Sequence, residues 1–519
     1  MIAQLRAQLE EKEKQLARKD QALALAEVKI QSLEERLRLE RIARYGKRSE
    51  TLSDLQLELL DLEPGVSSEE IEAESNREPI TTSADGENTD EEKPVTKPRR
   101  KHPGRQTLPA HLERIDQIVV CTAEDCKCGR CGRQTEVIGY EETEVLDVKP
   151  AEYFVRVIKR EKRACKQCEE QGVRTAAAVE RIAPKSLLSD NVIIDLLVNK
   201  YCEATPLYRQ QVVLRRDAGV EVALSTLDDA VIRVGELLIP ITAAMKRELL
   251  SGTYIQADET PVGVQTHDKR GRNHQAYMWQ YGSPGKGVVF DFRMGRDHEG
   301  PKLFLGEFQG ILQTDGYKAY DKVSGRKIVH AGCLAHARRK FVDAVKVNAK
   351  DLEAARVVTL MDQLFAIDRE ARDNNFSHAE RHALRQQRAP KLLEELRSQL
   401  LAIKKTALPK SAAGQAANYT LMLWQKLTLF LEYPVLELSN NLAENSMRPI
   451  ALGRKNWLHL GSKEAGPKIA AIFSVVESCR RLNIPIRKYF IDVLPGLANR
   501  SIQTINQLTP TAYAANRAK

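Results

Sequence analysis

The pattern that most constrains this chain lies between residues 252 and 335, where five strand-like apolar stretches are interrupted by one short helical stretch. The strand-like pieces are "TYIQADETPVGV", "AYMWQYG", "GVVFDFRM", "GILQTDGY" and "KIVHAGC", and "GPKLFLGEF" falls between the third and the fourth. Apolar runs of this length between turn residues read as strands of one sheet, and the helical periods on either side supply covering layers. Residues 185–250 carry such a period in "NVIIDLLVNKY" and "PLYRQQVVLRRDAGVEVALSTLDDAVIRVGELL". Another runs from about residue 336 to 432, with one helix opening on the capping box Ser377 to Glu380 and one after Ser411.

Acids stand where these strands should end. The first strand is expected to stop on Asp258 and Glu259, just before Pro261, and the fourth on Asp315, where Gly316 lets the backbone turn away. Carboxylates are costly at the lip of an apolar strand unless water, a cation or a partner takes up their charge. Hard divalent cations such as Mg2+ are held by a few carboxylates, with water and phosphate completing the octahedron. A third acid is expected on a helix across from the two strand ends. Glu444 in "SNNLAENSMRPIALGRKNWLHLGS" fits, because Arg448, Arg454, Lys455 and Trp457 follow it and offer phosphate contacts and a base-stacking plane. Singly, Asp258 and Asp315 also read as turn acids, and Glu444 as the partner of Asn441 in a capping box.

Cys128 and Cys131, with Cys165 and Cys168, form two C-x-x-C pairs, a thiolate set suited to tetrahedral structural zinc. The alternating "YFVRVIKRE" between them suggests a hairpin that brings the pairs together. In residues 207–233, "LYRQQVVLRR", a turn at Asp217 to Gly219, and a new helix capped by Ser225 with Asp228 three residues on have the shape of a helix-turn-helix.

The N-terminal part is organised differently. Ile2, Leu9, Leu16, Leu23, Ile30 and Leu37 recur every seven residues, although the d positions include Lys12 and Lys19, so residues 1–48 read as a coiled-coil helix that self-associates. Residues 68–92 hold ten acids and one base, too polar to order themselves, and the charge then reverses in "KPVTKPRRKHPGR". Since the net charge is +9, the chain outside that acidic stretch carries +18, which favours a polyanionic partner. Arg99, Arg100 and Lys101 are the centre of the basic arm. No apolar run approaches the ~18 residues of a membrane span, so a cytoplasmic, nucleoid-associated protein is expected.

The motifs "ADETPV", "LQTDGYKAYD", "HAGCLAHARRKF" and "NNLAENSMRPIALGRKNWL", in that order and preceded by "CGRCG", "CKQC", "GRQTLPAHLERI" and "ATPLYRQQ", resemble the insertion sequence 66 family of DDE transposases. The resemblance runs from the zipper to about residue 495 and implies a multidomain α/β protein with a ribonuclease H-like catalytic core. The strand and helix order above is that of such a core. Residues 1–48 would be the zipper, 49–105 the acidic linker and basic arm, 106–184 the zinc-binding segment and 185–250 the helix-turn-helix-like segment. The core would take residues 251–345 and 436–495, with a helical insertion at 346–435 and a tail at 496–519.

Carried over position by position, the family triad falls on Asp258, Asp315 and Glu444. Two Mg2+ ions, or Mn2+, would be the catalytic cofactor and Zn2+ a structural one. The family's C-x-x-H motif falls on Cys333 and His336, as support for the active centre. The expected partners are double-stranded DNA, both the terminal inverted repeats and the target, together with further copies of the chain and small accessory proteins of the element. The chain departs from the family at Ser439 and Asn445, where Asp and Arg are common. Two other functions fit the same features: a DNA-binding repressor derived from such an enzyme, and a nuclease of the same core that joins nothing.

Overall fold

The computed structural model describes residues 152–164, 173–266, 273–323, 328–348, 350–457 and 459–517, together with Lys12 and Arg133. Of these, 159–517 belong to one compact unit, and Arg133 and residues 152–158 to a second. The zipper apart from Lys12, the linker, the basic arm and the four zinc-segment cysteines lie outside the described residues. All elements below belong to the first unit.

A small two-stranded sheet of β1 (Lys162–Ala164) and β2 (Val173–Thr175) precedes three helices, α1 (Asp190–Tyr201), α2 (Leu207–Ala218) and α3 (Leu224–Leu250). Ser189 caps α1 by accepting from the Val192 N–H, and Gly219, at φ 65°, closes α2 in the left-handed conformation that glycine adopts without penalty. The expected cap of α3 is displaced. The helix starts at Leu224 after Ala223, so Ser225 already sits in the first turn and makes no cap. Val222 is buried just before this start, and packing the chain there sets the boundary earlier than the polar pattern suggested.

The main sheet has six strands: β3 (Tyr254–Val264), β4 (His274–Gly282), β5 (Val288–Arg293), β6 (Gly310–Gln313), β7 (Ile328–Ala331) and β8 (His459–Leu460). Its order is β5-β4-β3-β6-β7, the first three antiparallel and β3, β6 and β7 parallel. Strand β8 pairs parallel with β3 further along the side that β6 occupies. Helix α4 (Glu299–Leu305) and the short α5 (Lys318–Asp321) interrupt the strands. One face of the sheet receives α4 and α5 through the stacked Tyr281 and Phe304 rings, 3.8 Å apart, and the edge-on Trp279 and Tyr320.

After β7 comes a helical block of α6 (Leu334–Val347), α7 (Leu352–Asp373), α8 (His378–Thr406), α9 (Ala412–Met422) and α10 (Trp424–Thr428). Ser377 and Glu380 form the expected capping box of α8, and Ser411 caps α9. The block packs around Phe341, Met361 and Leu396 in a core that also takes in Tyr254 and Ile311 of the sheet. Inside it, Arg385 and Asp368 form a buried ion pair, and Arg385 also donates to the Leu436 carbonyl. The chain then returns to the sheet through α11 (Asn441–Trp457), α12 (Ala465–Arg481), α13 (Ile486–Val493) and α14 (Pro510–Arg517). The opposite sheet face receives α12, whose Ser474 and Ser478 hydroxyls accept from the Phe290 and Val288 N–H groups. No helix of the described residues is long and apolar enough to cross a membrane.

Candidate active site

Strand β3 does not stop at its acids. It runs through Asp258, Glu259 and Pro261 to Val264, paired throughout with β4. Its other side is divided: β6 pairs with residues 254–256 and β8 with 263–264, leaving residues 257–262 without a strand neighbour there. Pro261, which lacks an N–H, is tolerated mid-strand where no ladder is formed on that side. The opening is bridged by side chains from the start and the end of α11. Asn440 Nδ2 donates to the Ala257 carbonyl at 3.4 Å, and Arg454 donates to the Pro261 carbonyl at 2.6 Å and the Thr260 hydroxyl at 3.1 Å.

Because side chains alternate along a strand, Asp258 and Glu259 face opposite sides of the sheet. Glu259 points to the face of α4 and α5, where Arg296 donates to it at 2.6 Å and the Tyr320 hydroxyl at 2.8 Å. Burial raises its pKa, and these two donors offset part of that rise. Arg296 lies over the Tyr317 ring, 4.0 Å from its centroid. The charge of Glu259 is thus met by a cation, which leaves Asp258 as the acid on the other face.

Below Asp258, the Gln256 and Gln313 side chains meet across β3 and β6, with Gln256 Nε2 donating to Gln313 Oε1 at 3.0 Å. Asp315 follows the last residue of β6 by two positions, in a turn where its carboxylate accepts from the Tyr317 N–H and the Tyr419 hydroxyl holds its carbonyl. Gly316, at φ 92°, makes this turn, and a Cβ there would come within 2.7 Å of Leu423. Glu444 sits in the first turn of α11. The Asp258 carboxyl is pushed well above the usual range, first by burial and then by the charges of Glu444, Glu259 and Asp315, while the Glu259 N–H partly compensates. Glu444 and Asp315 thus act as repulsive charges on the buried Asp258 carboxyl, and the three acids offer oxygen donors. The donor set fits a hard divalent cation, whose charge would relieve that repulsion.

Around Glu444 stand Cys333, His336 and Arg339 from the start of α6. His336 Nδ1 lies 3.4 Å from Glu444 Oε1, and Arg339 donates to Oε2 at 3.3 Å. Cys333 is fully buried, and its sulfur accepts from the Asn440 N–H. Ser439 and Asn445, the two departures from the family pattern, are both buried, and the Ser439 carbonyl accepts from Gln256.

Of the residues read as DNA contacts, Lys455 is exposed and Arg448 partly so. Arg454 is engaged with β3, and Trp457 packs against the main core with Gly453 beneath its indole. The sequence reading missed Asn440, Arg296, Tyr320 and Gln280. Gln280 pairs in register with Asp258, is fully buried, and has neither amide atom hydrogen-bonded. A polar residue in a strand core was the available signal for Gln280; nothing local pointed to Arg296.

Fold and site together define a mixed α/β protein with a buried acid, Asp258, beside an opening in one strand's edge, where the charges of Asp315 and Glu444 act on it. A family model described as "Transposase IS66 family" matches residues 185–468. Models described as "Transposase C of IS166 homeodomain" and "zinc-finger binding domain of transposase IS66" match residues 32–116 and 125–169, the latter spanning all four paired cysteines. The chain belongs to the IS66 transposase family. It is similar to the uncharacterized protein y4hP of Sinorhizobium fredii (strain NBRC 101917 / NGR234), with 28% identity over 93% of this chain and 88% of the relative. The uncharacterized proteins y4jD and y4qI of the same organism are 31% and 29% identical, over 77% and 88% of this chain and 80% and 84% of the respective relatives.

Proposed function

We propose that this chain is a DNA transposase that binds the ends of its insertion sequence and catalyses divalent-metal-dependent cleavage and strand transfer. The observation that carries the reading is the place of Asp258 at the opening beside β3, where the charges of Glu444 and Asp315 act on its buried carboxyl. Three antiparallel strands followed by two parallel ones, with helices on both faces, support a ribonuclease H-like core at residues 251–345 and 436–495, interrupted by the helical insertion at 346–435.

In this reading Asp258, Asp315 and Glu444 hold Mg2+ or Mn2+. Bound ions would supply an activated nucleophile and stabilise the leaving 3′-oxygen of a phosphodiester. The chain's own residues position that cluster. Asn440 and Arg454 hold the opening beside β3, Tyr317 and Tyr419 fix the Asp315 turn, and His336 and Arg339 orient Glu444, with Cys333 packed behind. Arg448 and Lys455 contact phosphates, and Arg99, Arg100 and Lys101 reach the duplex from the arm. Cys128, Cys131, Cys165 and Cys168 hold a structural Zn2+. Residues 1–48 associate copies of the chain in the cytoplasm, at the inverted repeats and target DNA, with small accessory proteins of the element as further partners.

The test incubates full-length protein with a labelled element end and Mg2+ or Mn2+. A specific nick followed by a joined product is expected. Binding without a nick would favour the repressor reading, and cutting without end specificity or joining would favour the nuclease.

A further inference from the structure

The starts of α6 and α11 are stitched together. The Leu334 N–H donates to the Leu438 carbonyl at 2.8 Å, and the Asn440 N–H to the Cys333 sulfur at 3.4 Å. This brings Cys333, His336 and Glu444 to one point, with a sulfur, an imidazole nitrogen and a carboxylate oxygen all within 4.8 Å of one another. His336 Nδ1 and Glu444 Oε1 face each other at 3.4 Å, each shielded from solvent and without a hydrogen-bond partner among the described residues. The second oxygen of Glu444 is turned to Arg339, so the first is left for this cluster.

We infer that Cys333, His336 and Glu444 form a site for a borderline divalent cation such as Zn2+, separate from the acidic cluster although it shares Glu444. The donor set decides the ion. A thiolate and an imidazole suit zinc and not magnesium, and three protein ligands with a fourth position for water is a common zinc arrangement. In a tetrahedral site neighbouring donor atoms lie roughly 3.5 Å apart, so the three side chains need close by about 1 Å.

Ligand charge agrees with this assignment. One thiolate and one carboxylate balance the two charges of the ion, and the positive ends of α6 and α11 favour both anions. A thiol binds metal as its thiolate, so binding replaces the Cys333 proton with the cation, leaving sulfur bonded to metal and releasing H+ to water. His336 and Glu444 are each about a quarter exposed in their side chains, which leaves a path for the ion.

The experiment counts zinc per chain by elemental analysis in full-length protein equilibrated in one zinc-buffered solution. Wild type is compared with Cys333→Ser, His336→Gln and Asp258→Asn. Cys333→Ser and His336→Gln should each hold one zinc fewer than wild type, and Asp258→Asn the same number as wild type. After replacement by Co2+, the wild-type spectrum minus that of Cys333→Ser should show a thiolate-to-cobalt charge-transfer band. His336→Gln changes a partly exposed side chain and keeps the variant testable if Cys333→Ser fails to fold. Equal zinc in wild type and His336→Gln overturns the site. Because Asp258→Asn spares zinc but removes an acid of the Mg2+ cluster, failure of this inference and failure of the transposase reading give different results.

Discussion

Asp258 and Asp315 each stand two residues beyond Gln256 and Gln313, the last pair joining β3 to β6. With a side-chain period of two, Asp258 lies on the side of the sheet where the two glutamines meet, while Asp315 lies in the turn past the end of β6. Strand β6 turns away at Gly316 while β3 continues, so the acids sit where one strand has ended and its neighbour has not.

The adjacent acids should therefore behave differently when their surroundings change. Arg296→Ala leaves the buried Glu259 carboxylate with only Tyr320 as a side-chain hydrogen-bond partner among those described. Because the lost guanidinium is half-exposed, we expect a loss of about 1–3 kcal/mol in thermal unfolding. Mn2+ binding should persist, since Asp258 is on the other face. Loss of metal binding with unchanged stability would contradict the division of roles.

Arg454 and Lys455 should separate by the same logic. Arg454→Ala removes two hydrogen bonds to β3 and should cost about 1 kcal/mol of stability. Lys455→Ala, at an exposed position, should leave the melting temperature unchanged and reduce the salt slope of DNA binding by about one unit. Melting curves and binding isotherms over a salt series check both. An unchanged melting temperature in Arg454→Ala would detach it from the strand edge.

His330 on β7 supplies a pH dependence. Burial and then Lys426 lower its pKa below the usual 6.5, with Asp321 and a Val323 backbone hydrogen bond opposing them. A histidine whose folded value is depressed stabilises the fold fully above the unfolded pKa of about 6.5 and progressively less as pH falls towards the folded value. Melting temperature should drop between pH 7.5 and 5.5 in wild type, and drop less in His330→Gln. Parallel curves for the two proteins would remove the effect.

Much of this was legible in the sequence. The succession of strands and helices along the chain, the helical block after β7, the Ser377 capping box and the turn at Gly316 all follow from local patterns of two, 3.6 and glycine. The strand boundary at Glu259 was misread because Pro261 normally ends a ladder. Strand β3 continues because β4 pairs with it as far as Val264, and β8, a two-residue strand almost 200 positions downstream with no pattern of its own, joins its other side there. Glu444 could be reached from its motif, but not its closeness to His336. That contact depends on how α6 and α11 begin side by side, which no local spacing encodes.

The central claim is that Asp258, Asp315 and Glu444 converge to hold divalent cations against a DNA backbone. Anomalous diffraction from crystals of the full-length protein with an element end and Mn2+ tests it most directly. The account predicts manganese peaks within about 2.3 Å of oxygens from all three carboxylates. Absence of any such peak with DNA bound, and the three side chains turned apart, would contradict it.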